Sequence, residues 1–66
     1  MDYVIYRNEN HPVEAERGEI VLVLQNTSFQ GAELCAGENQ TILQATADAC
    51  LHRVDLTTGE IINRTT

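Results

Sequence analysis

Apolar positions along the chain come in short clusters separated by polar punctuation. Asp2-Tyr3-Val4-Ile5-Tyr6-Arg7 is rich in aromatic and β-branched types and predicts a strand. The polar stretch Asn8-Glu9-Asn10-His11-Pro12 ends it, and Pro12 biases His11 toward an extended conformation. Next, Val13-Glu14-Ala15 leads through Glu16-Arg17-Gly18 into Glu19-Ile20-Val21-Leu22-Val23-Leu24-Gln25. A three-residue connection closed by glycine suits a type I turn with a G1 bulge, so Gly18 is expected at positive φ between two strands. The second of these strands is apolar on both faces, which predicts a central strand with neither face left to water.

The same turn chemistry returns in Val54-Asp55-Leu56, Thr57-Thr58-Gly59 and Glu60-Ile61-Ile62-Asn63, a second predicted hairpin with Gly59 in the part of Gly18. Between the hairpins the periodicity is double. Thr41-Ile42-Leu43-Gln44 fits a capping box, and Leu43, Ala47, Cys50, Leu51 and Val54 fall on one helical stripe. That reading predicts a helix over 42–52, with Cys50 buried. Cys50, His52, Val54 and Leu56 also alternate as a strand would. Residues 27–36 carry a weaker signal: Thr27 and Gln30 fit a second capping box for a short helix with Gly37 at its end, Gly31 weakens it, and a helical turn or irregular loop that packs Phe29 and Leu34 inward fits equally well. The expected fold is a small α+β domain, an antiparallel sheet of three to five strands with two hairpins and one helix packed across it. If 41–56 forms strands, the alternative is an all-β, SH3-like or partly open barrel.

Size sharpens this picture. Sixty-six residues make a single compact domain, 1–66, because separate cores need about 50 residues each. A chain this small is near the limit of independent stability, so self-association, most simply a homodimer, is expected to support it. The longest unbroken apolar run, Ile20–Leu24, is far short of the roughly 20 residues of a membrane span. The first ten residues lack the apolar core of a secretory signal, which predicts a cytoplasmic protein. There, Cys35 and Cys50 are expected as reduced, buried thiols. The three Asn-x-Ser/Thr triplets at Asn26, Asn39 and Asn63 then reflect turn composition rather than glycosylation.

Charge narrows the functional classes. The net charge is −6, and the chain's four basic residues are all arginines, with no lysine. Direct binding to DNA or RNA needs clustered cations, and anionic membranes repel such a chain. A basic protein surface attracts it. Metal binding would draw on His11, Cys35, Cys50 and His52, but no zinc-type spacing occurs, so neither metal nor cofactor is expected. Nucleophilic chemistry at Cys50 with His52 nearby would require an exposed, activated thiolate. The isolated glycines and missing lysine exclude a phosphate-binding P-loop, and the chain is expected not to be an enzyme.

The acids Glu9, Glu14, Glu16 and Glu19 crowd around the first predicted hairpin, with Arg17 the one opposing charge there. Tyr3 and Tyr6 fall on opposite strand faces, and an exposed Tyr6 would make an interface anchor. These residues define the expected contact surface of a non-catalytic acidic binding protein. It would dock on a basic surface of another protein, such as a nucleic-acid-handling one, mimic nucleic-acid phosphates, and inhibit or modulate its target as a phage-type inhibitor or accessory protein does. The other readings are a self-associating structural subunit, and a small metal module or enzyme using Cys35, Cys50 and His52.

Overall fold

The computed structural model describes residues 1–64 and builds the fold outward from its first strand. β1 (Tyr3–Arg7) is the middle of a three-stranded antiparallel sheet, flanked by β2 (Ile20–Leu24) and β3 (Gln40–Gln44). Tyr3 pairs with Leu24 and Gln44, and Ile5 with Leu22 and Ile42. Tyr6 faces Ile20, so Val21 is an extra residue that bulges β2. β4 (His52–Asp55) and β5 (Glu60–Asn63) form a separate antiparallel hairpin, and α1 (Phe29–Cys35) connects β2 to β3. The architecture is small α+β, and its sheets do not close into a barrel.

β1 is central because both its faces are apolar and both are covered. Strand alternation sends Val4 and Tyr6 to one side, where Val4, Ile20 and Val54 form the core with Leu43, Leu56 and Ile61 packed around them. Tyr3 and Ile5 point to the other side, toward α1, whose Ala32 is fully buried. The Tyr3 and Phe29 rings meet edge-on with centroids 6.1 Å apart. Hairpin, sheet and helix thus stack as layers, and Val4, Ile5 and Val54 have no exposed surface.

Gly18 holds two of these layers together. Its N–H donates to the Arg7 carbonyl at 2.7 Å, and its own carbonyl accepts from the Val54 N–H at 2.8 Å. Its φ is +87°, and a Cβ here would run into the Val54 carbonyl oxygen. Positive φ at Gly18 is as the sequence suggests, but the residue joins sheet to hairpin instead of closing a hairpin turn. Val13–Ala15 does not form a strand: Glu14–Glu16 is a 3₁₀ turn, and β2 pairs with β1. β2 is an edge strand, not the central one, because β1 satisfies the same requirement with more complete burial.

The predicted helix over 42–52 is also absent. β3 takes residues 40–44 because β1 needs a partner on its second edge. Beyond it, half-buried Ala45, Ala47 and Ala49 alternate with exposed Thr46, Asp48 and Cys50, a period of two without strand pairing. Asp48 then turns the chain: its carbonyl accepts from Leu51 and His52, and its carboxylate from the Cys50 N–H. The helix forms instead at Phe29–Cys35, where Ser28 Oγ accepts from the Gly31 N–H at 3.1 Å, so Ser28 and not Thr27 is the cap. Its outer side leaves Phe29 half exposed and Leu34 89% exposed, so Leu34 does not turn inward. The C-terminal hairpin forms as expected, with Gly59 at φ +76°. No helix among the described residues is long and apolar enough to cross a membrane. Thr65, the third residue of the Asn63 triplet, lies outside the described residues.

Candidate functional site: a cleft between the 8–18 loop and the hairpin

The long connection from β1 to β2 is fixed by its own polar side chains. Asn8 Oδ1 accepts from the Asn10 N–H at 2.9 Å, an Asx turn that reverses the chain. Asn8 Nδ2 also donates to Thr41 Oγ1, tying the loop to β3. The Val13 N–H donates to His11 Nδ1, and Arg17 Nε donates to the His11 carbonyl at 2.8 Å, closing the loop on itself. Arg53 Nη2 donates to the Arg17 carbonyl at 3.0 Å and so anchors the loop to β4.

This bracing leaves a cleft of about 450 Å³ between the loop and the outer face of the hairpin. Glu9 and Glu14 line it from the loop, Asp55 from β4, and Leu56 and Ile62 give it an apolar wall. Arg17 and Arg53 also line it, so three carboxylates share the space with two guanidiniums. Both arginines are already held by backbone carbonyls. Glu9 and Glu14 are exposed, and neither makes an ion pair among the described residues. Asp55 uses Oδ1 to accept from the Thr57 N–H at 2.8 Å.

The structure therefore divides the residues that the sequence groups together. Glu9, Glu14 and Arg17 meet in the cleft. Glu16 is drawn away by a 2.7 Å ion pair to Arg7, and Glu19 by a 2.6 Å pair to Arg64. The hydrogen bond from Arg64 holds the Glu19 carboxyl below its ordinary pKa, against a smaller opposing effect of burial, with Arg64, Arg53 and Arg7 adding attraction. The same bond raises the Arg64 pKa. Tyr6 packs half-buried against the core cluster on the hairpin side of the sheet, away from the cleft lining. Asp55, Arg53 and Ile62 do not emerge from sequence reasoning as site residues. Their signal was present: the second hairpin places Arg53 opposite Ile62 and Asp55 opposite Glu60, one face of a two-stranded ladder whose other face holds Val54 and Ile61.

The remaining chemistry-bearing groups are scattered. Cys35 and Cys50 are both free and exposed, not buried: Cys35 ends the outward side of α1, and Cys50 lies in the turn at 49–51 that leads into β4. His52 Nδ1 accepts from the Asp48 N–H at 3.0 Å, which orients the ring for a turn. Among the described residues no three His, Cys, Asp or Glu side chains converge as a metal site. Comparison with protein families, curated proteins and solved structures finds no match for this chain.

Proposed function

We propose that the protein is a non-catalytic acidic binding protein that engages a basic surface of another protein through the cleft between the 8–18 loop and the hairpin. The observation that supports this reading is the combination of carboxylates free of ion pairs with an apolar wall. A lysine or arginine side chain has the matching two-part chemistry: its methylene stem packs on Leu56 and Ile62 while its charged head meets Glu9, Glu14 and Asp55. Arg17 and Arg53 repel an incoming cation, so its charged head is directed to the carboxylates and away from them. Neutralising Glu16 and Glu19 internally leaves the cleft acids, with Asp2, Glu33, Glu38, Asp48 and Glu60 elsewhere, as the source of the external field. A target whose basic surface handles nucleic acid would be blocked by such occupancy, which is the inhibitory or modulating role proposed here.

The test is a titration with an oligo-arginine peptide, followed by amide chemical shifts at low and high salt. Shifts concentrated at Leu56, Thr57 and Ile62, lost in high salt and in the Glu9→Lys/Glu14→Lys variant, are the expected result. This variant spares Glu16 and Glu19, whose ion pairs belong to the fold. Unchanged binding by the variant, or shifts centred on Glu33 and Glu38, would overturn the reading.

A further inference from the structure

β2 is an open sheet edge, and its backbone, its charge pattern and its side chains all suit a second copy of this chain. Arg7 exchanges both backbone groups with the β2 side, donating to the Glu19 carbonyl and accepting from the Gly18 N–H. The antiparallel alternation then turns Tyr3 and Ile5 toward β2 as well, so their partners Leu24 and Leu22 point inward and Val23 presents its N–H and C=O outward. Among the described residues no backbone hydrogen bond reaches that outer edge. The usual protections of an edge are a lysine, a proline or an inward charge. β2, Ile-Val-Leu-Val-Leu, has none of these, and its one irregularity, at Val21, lies near its start.

We infer that β2 pairs antiparallel with β2 of a second copy, about a two-fold axis at Val23, to make a continuous six-stranded sheet. In this register Val23 exchanges both hydrogen bonds with Val23 of the partner subunit, and Leu22 lies opposite Leu24 of the partner subunit. Leu22, 38% exposed on the helix side of the sheet, loses its contact with water. Charge selects the same place. The chain carries −6, so two copies repel at most approaches, yet no charged residue occurs from Ile20 to Ala32. The nearest acid along the chain, Glu19, is neutralised by Arg64, and Asp2 at the far end of β2 is engaged within the subunit, accepting from the Asn26 N–H and the Thr46 hydroxyl. Symmetry selects between edges: β2 against β2 closes as a dimer, whereas β2 against the β3 edge would repeat without end and form filaments. The β3 edge is also flanked by exposed Glu38 and Asp48.

Sedimentation equilibrium of the wild-type chain in reducing buffer tests this, from low to high micromolar concentration; the reductant removes any contribution from exposed Cys35 and Cys50. A monomer–dimer equilibrium is expected, with exchange of the Val23 amide slowing as concentration rises. Leu22→Lys, a charge on the exposed edge, should weaken dimerisation by about tenfold or more while leaving the far-ultraviolet circular dichroism unchanged. Leu34→Lys, on the outer side of α1, serves as the control and should leave it intact. A strict monomer at the highest concentration, a dimer undisturbed by Leu22→Lys but lost in Leu34→Lys, or assemblies growing beyond two copies would each overturn the inference.

Discussion

Gly18→Ala is the substitution for which the fold gives the most definite expectation. The residue sits at φ +87°, where an L side chain costs about 1–2 kcal/mol. A methyl group there also meets the Val54 carbonyl oxygen, which is backbone and cannot rotate away. Relief requires β4 to move off, weakening the Val54 N–H bond to the Gly18 carbonyl, a further loss of about 1–3 kcal/mol if that buried N–H is stranded. Reduced freedom of the unfolded chain returns about 0.4–1 kcal/mol. The net destabilisation is about 2–4 kcal/mol, a large share of the roughly 3–10 kcal/mol available to a domain this size. Gly59→Ala is the internal control. It has a similar φ of +76°, but nothing lies within 4 Å of the added carbon, so strain alone remains, about 1 kcal/mol after the same entropy offset. Urea unfolding of both variants, followed by circular dichroism, reads the difference. Equal destabilisation within about 0.5 kcal/mol would refute the close approach between sheet and hairpin. A Gly18→Ala chain with no cooperative transition meets the expectation, provided Gly59→Ala keeps its own.

Two other expectations rest on different parts of the molecule. Both thiols should react with a disulfide reagent in the native state without a lag, because Cys35 and Cys50 are exposed; reaction that waits for denaturant would contradict their placement. The lowered pKa of Glu19 makes its ion pair with Arg64 stabilising above the ordinary carboxylate range and progressively lost as pH falls through the depressed folded value. Wild type should therefore have a higher urea midpoint than Glu19→Gln at neutral pH, and the two should converge in acid; a gap that persists below that range would count against the assignment.

The elements most legible in the sequence were those whose signals are local. β1 and the β4–β5 hairpin follow from β-branched runs and a Thr-Thr-Gly turn, and positive φ at Gly18 follows from glycine at the end of a polar connection. The errors came where a segment's partner lies far along the chain. Residues 42–52 satisfy helical and strand periods equally well, and the decision rests with β1, some forty positions earlier, which needs a neighbour on its second edge. β2 looked central because nothing in Ile20–Leu24 reveals that Tyr3–Tyr6 has the stronger claim to both layers. The candidate cleft was half legible for a related reason. The acids of the 8–18 loop stand out by density, but Arg53, Asp55 and Ile62 join them only through the docking of the hairpin, and Glu16 and Glu19 leave the group only through arginines at positions 7 and 64.

The position of β1 at the centre has a consequence for how the chain comes to be folded during synthesis. It is made early and covered late. Its first edge partner arrives by residue 24, its second by residue 44, and the hairpin that covers Val4 only by residue 63. Until then the most deeply buried strand of the finished fold waits with at least one face bare, and the pairing of β1 with β3 spans a loop of more than thirty residues, the slow kind of contact to close. A nascent chain halted before residue 52 has the whole three-stranded sheet and none of its lid. Such a fragment is the form in which this protein is most exposed to aggregation and to capture by chaperones.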